Sequence, residues 1–278
     1  MRLKRGVLVV AVGLLMTGCA EEGSPTSSGA GSQEQGCDVS KPPVLEEGVL
    51  TVATDRPAYP PWFEGSPKHY TGFEGDVATE ISERLGLSIK WVEEPFNKSY
   101  SPGPKDYDFD INQISVTPER EQAVDFSDSY FDNTQGVLVM KGSSLSNATS
   151  LDDLKDAQLG AQVGTTSLSF INSTVQPAKE PKIFDTTNDA KSALEGGQID
   201  GLVTDLVTTV YLRDFEIDGS TVVGQYPTNE PFGMLFEKGN PLRDCVNQVL
   251  ADMKDDGTLE QLQEKWLKDY LTVPTLEG

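Results

Sequence analysis

Three features of the chain predict an α/β architecture in two lobes. Apolar runs of five or six residues alternate with segments whose apolar residues recur every three to four positions. The stretch from Val44 to Thr275 is long enough for two lobes of about 100 residues each. Two polar-ended strands, residues 107–115 (YDFDINQIS) and 197–205 (GQIDGLVTD), echo each other in the two halves. Alternating strands and helices favour mostly parallel sheets, and open sheets of that kind bind ligands beyond the carboxyl ends of their strands.

The elements follow in order. Residues 49–54 (VLTVAT) read as a strand. Residues 74–85 read as a helix with Val77, Ile81 and Leu85 on one face, stopped by Gly86. Strands are expected at 88–92, 109–115 and 136–140. Thr117-Pro118 reads as a helix start, a hydroxyl cap followed by proline at the first helical position. Arg120 then puts a permanent cation at the positive end of that helix, which calls for an anion from elsewhere. Ser150 is expected to cap a helix at 151–154, and a strand covers 159–163. A helix at 189–194 stops at Gly196-Gly197, a strand covers 199–204, and a helix runs over 206–212. Residues 232–236 read as a strand. Asn240-Pro241 opens a helix with Leu242, Val246, Val249 and Met253 inward, and a last helix carries Leu259, Leu262 and Trp266. Trp62, Phe73, Phe126, Met140, Met234 and Trp266 read as packing residues. The strand-end rule makes Gln113, Ser115, Thr204 and Asp205 expected cleft residues.

The 278 residues begin MRLKRGVLVVAVGLLMTGC. A basic start and a short apolar stretch describe a signal peptide, too short to span a bilayer. Met16-Thr-Gly-Cys19 resembles a lipobox, which makes Cys19 the expected lipidation site and residue 1 of the mature chain. Residues 20–36, AEEGSPTSSGAGSQEQG, then form a flexible tether spanning roughly 20–25 Å. The formal charge is −22; loss of residues 1–18 removes three of the 22 cations and none of the 44 acids, leaving −25. Such a surface disfavours nucleic acid and anionic lipid as partners. With Cys19 lipidated, Cys37 and Cys245 remain in an oxidising compartment and are expected to pair, two free thiols being the alternative.

The order and spacing of several short motifs resemble the family 3 extracellular solute-binding proteins of polar amino-acid ABC transporters, with a type II periplasmic-binding-protein fold. The stretches are Thr54-Asp55 to Pro60-Pro61-Trp62, Gly72-Phe73-Glu74, Ser115-Val-Thr-Pro-Glu-Arg120 and Asp125-Phe126-Ser127. Leu151-Asp-Asp-Leu154, Gly164-Thr165-Thr166, Asp205 and Asp256-Gly257-Thr258-Leu259 with Trp266 complete the set. The resemblance implies two α/β lobes joined by two crossing segments, near 139–143 and 226–232. Lobe 1 would hold residues 44–138 plus 231–275 and lobe 2 residues 139–230, with residues 19–43 as lipidated cysteine and tether.

The resemblance also implies roles. Arg120 would grip the α-carboxylate of an amino acid, with Ser115 and Thr117 as neighbouring contacts and Thr165 and Thr166 as the second lobe's contribution. A guanidinium matches a carboxylate with two parallel donors. Asp205 would take the α-ammonium group, although its spacing alone favours a turn or helix-cap residue. Asp55, Tyr59, Phe96, Gln113 and Gln162 would form the side-chain pocket. The chain departs from the family there. The Asp55–Tyr59 stretch is one residue longer, Asn112-Gln113 replace small residues, and residues 99–105 replace a helical stretch. The ligand is therefore not copied from a relative, and Asp55 with the two glutamines favours a basic or amide side chain.

No cofactor, metal or catalytic residue is expected. The single histidine, His69, lies in a polar loop, and no nucleophile motif is present. The expected partners are an amino-acid ligand and an ABC permease with its ATPase, with membrane contact through the lipid only, on the extracytoplasmic face, as a monomer. The alternatives are an amino-acid sensor without transport and a dehydratase-type enzyme on the same fold.

Overall fold

A computed structural model describes residues 37–278. The signal peptide, Cys19 and the tether to residue 36 lie outside the described residues.

The first lobe opens with β1 (Val49–Thr54), a small hairpin of β2 (Glu64–Ser66) and β3 (His69–Thr71), then α1 (Phe73–Arg84), β4 (Ser88–Glu93) and the single turn α2 (Phe96–Ser99). It continues with β5 (Phe109–Asp110), β6 (Val124–Phe126) and β7 (Phe131–Met140). The second lobe adds β8 (Leu159–Gln162), α3 (Thr166–Phe170), β9 (Lys182–Phe184), α4 (Thr187–Glu195), β10 (Gly201–Asp205), α5 (Leu206–Tyr211) and β11 (Ser220–Phe232). The chain then returns to the first lobe through β12 (Leu235–Glu237), α6 (Leu242–Asp255) and α7 (Thr258–Leu267).

Two five-stranded sheets result, ordered β4-β1-β5-β12-β6 and β11-β7-β10-β8-β9. Each is mixed rather than mostly parallel in its pairings. β12 runs antiparallel to both its neighbours in the first sheet, and β7 does so in the second. Of those reversed strands, β7 is itself a crossing and β12 directly follows the other, which the alternation of strands and helices does not reveal.

Both sheets are covered on both faces, as the alternation of side chains along a strand requires. In β1, Leu50 and Val52 join a core with Phe73, Ile81, Val246 and Met253, while Ala53 faces Tyr107, Ile114 and Leu235 on the opposite side. In the second lobe Val137 and Val139 pack with Leu154, Phe170 and Ile171, and Leu138 packs with Ala190, Leu194 and Leu212. Each such aliphatic side chain contributes roughly 1.5–3 kcal/mol by leaving water. The helix α1 follows the predicted face, burying Val77 and Ile81, with Leu85 just past its end.

Several boundaries differ from the sequence expectation. The strand expected over 109–115 is only two residues long, because Gln113 adopts a left-handed φ of 49°. The helix expected after Thr117-Pro118 is a single 3-10 turn, Arg120–Gln122, as is Asp152–Leu154 after Ser150. The 232–236 run divides between β11 and β12, and β6, β9 and the long β11 carry no alternation strong enough to announce them.

The first crossing lies inside β7, upstream of residue 139. Phe131 belongs to the first lobe's core and Val137 to the second's. The second crossing is β11, paired with β7 from Ser220↔Met140 to Phe232↔Phe131. A third passage follows α7. The tail pairs Thr275 with Gln225 and Glu277 with Ser150, and inserts Leu276 into the second lobe's core. At the other end, Cys37 and Cys245 of α6 form a disulfide with Cα atoms 4.9 Å apart.

Candidate functional site

Four strand ends aim at one space between the lobes. Asp55 follows β1, Ser115 follows β5, Gln162 ends β8 and Asp205 ends β10, and all four line the same cleft. Its cavity volume is about 80 Å³. Tyr59, Phe96, Gln113, Thr165, Thr166 and Thr204 also line it.

The lobes touch around this space. Tyr59 Oη donates to Asn188 Oδ1 at 2.8 Å, and Trp62 Nε1 donates to Thr208 Oγ1 at 3.1 Å. The hydroxyls of Ser115 and Thr166 meet at 3.2 Å. The Trp62 side chain is therefore both a packing residue, fully buried, and a link between lobes.

Asp205 caps a helix and also borders the cleft. Its Oδ1 accepts the Thr208 N–H at 2.9 Å and caps α5, while the side chain borders the cleft. Burial raises its pKa, opposed by the bond from Thr208. Asp55 accepts the N–H groups of Arg56 and Phe96, at 2.6 and 3.2 Å. Burial raises its pKa as well. A cation placed against either carboxylate would restore its charged form.

Arg120 and Thr117 do not line this cleft; they border an outer groove on the far side of Thr165 and Thr166. Thr117 Oγ1 accepts the Arg120 N–H at 3.2 Å, holding the turn. The guanidinium is buried. It donates through Nη1 to the Ser115 carbonyl at 2.8 Å and through Nη2 to the Gly164 carbonyl at 2.9 Å. Its carbon lies 4.9 Å from the Tyr100 ring centre and 5.4 Å from that of Phe96. The anion expected at this cation is thus represented by two backbone carbonyls, one from each lobe, and two aromatic faces.

Gln113 sits in a conformation that favours glycine, and Glu74 holds it there. Glu74 accepts the Gln113 backbone N–H at 2.7 Å, the Gln113 side-chain amide and the Tyr130 hydroxyl. Gln162 Oε1 accepts from Thr187 Oγ1 at 2.8 Å. Thr165 caps α3 through a bond from the Leu168 N–H.

Sequence reasoning did not anticipate Asn133, Gln135, Thr187 and Thr208 on the cleft wall. A signal existed for two of them. Asn133 and Gln135 are alternate polar residues at the head of the apolar strand β7, and both are buried. Polar side chains on one face of a buried strand need partners. Among the described residues, no group of three or more His, Cys, Asp or Glu is arranged to hold a metal ion. His69 is exposed on β3.

With this geometry in place, comparison with known proteins is decisive. Residues 50–269 match the bacterial extracellular solute-binding proteins, family 3. The chain belongs to that family. This solute-binding protein is 31% identical over 226 residues to the L-cystine-binding protein TcyJ of Escherichia coli K12, covering 80% of this chain and 84% of the relative. It is 32% identical over 205 residues to the ABC transporter glutamine-binding protein GlnH of Bacillus subtilis, covering 71% and 73%. Among solved structures it resembles an ancestral arginine-binding protein bound to glutamine, with a TM-score of 0.71 and 32% identity over 80% of this chain and 99% of that one. The two-lobed fold is therefore that of amino-acid-binding proteins, and the relatives it matches are binding proteins rather than enzymes.

Proposed function

We propose that the protein captures a polar amino acid with a basic or amide side chain and delivers it to an ABC permease driven by its ATPase. It does so from the outer face of the membrane, as a monomer held by a lipid on Cys19. The observation that carries this reading is the meeting of Asp205 from one lobe and Ser115 from the other across a cleft they share. A zwitterion has one charge for each side. Asp205 takes the α-ammonium. The α-carboxylate takes Ser115, Thr165, Thr166 and, once it turns into the cleft from the Ser115 and Gly164 carbonyls, the Arg120 guanidinium on the turn that Thr117 holds. Asp55, Tyr59, Phe96, Gln113 and Gln162 surround the side chain.

Binding to both lobes gives the ligand a higher affinity for the closed state, which is what drives closure. A micromolar dissociation constant corresponds to about −8 kcal/mol. Of the amino acids named for the relatives, glutamine carries the amide side chain expected here, whereas cystine is polar without being an amide or a basic amino acid. A thermal-shift panel of the twenty amino acids, ornithine, citrulline and cystine tests the reading. A ligand at 100 times its dissociation constant adds about 2.7 kcal/mol of stability. A shift with one or two of them, absent in Arg120→Ala, is expected. No shift with any of them, from protein freed of co-purified ligand, would overturn the amino-acid assignment.

A further inference from the structure

The floor of the cleft is made by two amides whose orientation is set from behind. Asn133 and Gln135 stand two residues apart on β7, so their side chains share one face of the sheet. Glu230 of β11 pairs directly with Asn133. It reaches that position through a break in the ladder, which runs Tyr226↔Gln135 and then Glu230↔Asn133, with Asn229 at a φ of 51°. The bulge brings a carboxylate under both amides. Glu230 Oε2 accepts from Gln135 Nε2 at 2.9 Å, from Ser115 Oγ at 3.4 Å and from Asn133 Nδ2 at 3.5 Å.

Shape alone does not decide which way an amide points, because its oxygen and nitrogen are nearly the same size. A carboxylate behind it does decide, since it offers acceptors and draws the NH2 group. Gln135 Nε2 also donates to Thr166 Oγ1 at 3.4 Å, and the amide oxygens are left turned away from Glu230. Asn133 Oδ1 and Gln135 Oε1 are both buried without a hydrogen-bond partner, and both residues line the cleft. Asn133 is 2% exposed and Gln135 0%. Bare buried acceptors are costly until a donor meets them.

We infer that Glu230 is a positioning residue for specificity. It holds the Asn133 and Gln135 oxygens toward the cleft, making its floor an acceptor surface that selects ligands bearing an N–H group beyond the α-ammonium over isosteric acceptors. The inference rests on the amino-acid reading above and adds what sets the polarity of that site. Selection of this kind comes as much from the penalty on the wrong ligand as from the gain on the right one.

The test has two arms. Neutron diffraction from deuterium-exchanged crystals of the ligand-free protein locates the amide hydrogens. Deuterium on both amides facing Glu230 is expected; deuterium facing the cleft overturns the inference. The second arm titrates wild type and Glu230→Gln with the same amino-acid panel, including the isosteric pair L-glutamine and L-glutamate. Glutamine can donate or accept, so this variant releases both amides. The best wild-type ligand should carry a distal N–H, and the variant should bind it at least tenfold more weakly. Its preference for L-glutamine over L-glutamate should shrink by a similar factor, with the ligand-free melting temperature within a few degrees of wild type. A wild-type preference for L-glutamate or an aliphatic amino acid, or an unchanged profile in Glu230→Gln, overturns the inference. If no amino acid binds, the amino-acid reading falls and the neutron map alone decides the amide orientation.

Discussion

Arg120 and Gly164 join the lobes through one hydrogen bond, from Nη2 to the Gly164 carbonyl at 2.9 Å. Gly164 has a φ of 72°, and a Cβ built there would lie 2.0 Å from the Tyr100 hydroxyl. The close approach of the two lobes at this point needs a residue without a side chain. Gly164→Ala should therefore hold the lobes apart, through about 1–2 kcal/mol of backbone strain and the clash with Tyr100. Ligand affinity should fall at least tenfold in a calorimetric titration, with the Tyr100→Ala/Gly164→Ala double variant recovering part of the loss. Arg120→Lys should not substitute for the native residue, because an ammonium lacks the planar fork that reaches both carbonyls while stacking on Tyr100.

Stability should depend on pH through two buried acids. Burial pushes Glu74 up to about 8 and Asp110 up to about 7, each opposed by hydrogen bonds to the carboxylate. In the unfolded chain such groups titrate near 4. The folded state therefore binds more protons between these limits. The stabilisation is complete below about pH 4 and is lost as pH rises through 7 to 8. Urea unfolding at pH 5 and pH 8 should show a smaller fall in stability for Glu74→Gln than for wild type. An identical fall in both would rule Glu74 out as a source.

The Cys37–Cys245 disulfide closes a loop across 208 residues of sequence and ties the N-terminal segment to α6. A crosslink of that span stabilises mainly by restricting the unfolded chain, by about 2–5 kcal/mol. Cys37→Ser together with Cys245→Ser should lower the melting temperature by several degrees and leave ligand selectivity unchanged, since neither residue lines the cleft.

Leu276 tests the C-terminal passage. It is 2% exposed, and Gly224 approaches it so closely that a Cβ there would lie 2.6 Å from its Cγ. Leu276→Ala should cost about 2–4 kcal/mol in denaturant unfolding. Because the tail spans from α7 of the first lobe to β11 of the second, the same variant should speed hydrogen exchange at Gln225 and Leu151. These two residues share backbone hydrogen bonds with the tail.

Local pattern and tertiary pairing divide the credit for what could be read in advance. The apolar period of α1, α6 and α7 was legible because each helix has one buried face. Asp205 and Ser115 were legible because strands that end in polar residues point to where a sheet offers its carboxyl edge. The Thr117-Pro118 helix shrank to a turn because only the five residues 119–123 remain before β6 must pair with β12. Gln113 broke its strand because the buried Glu74, distant in sequence, holds it in a left-handed conformation.

The sequence by itself determined the α/β class, room for two lobes, the order of the family motifs and two strand ends, at Ser115 and at Asp205, that face the cleft. These depend on residues a few positions apart, whose spacing records which face is buried. The tertiary structure alone decided that Arg120 faces backbone carbonyls of both lobes and that Leu276 belongs to the second core. It also decided that Glu230 lies behind Asn133 and Gln135. Each of those relationships joins segments that meet only when β7 and β11 cross between lobes, and no local periodicity encodes such a meeting.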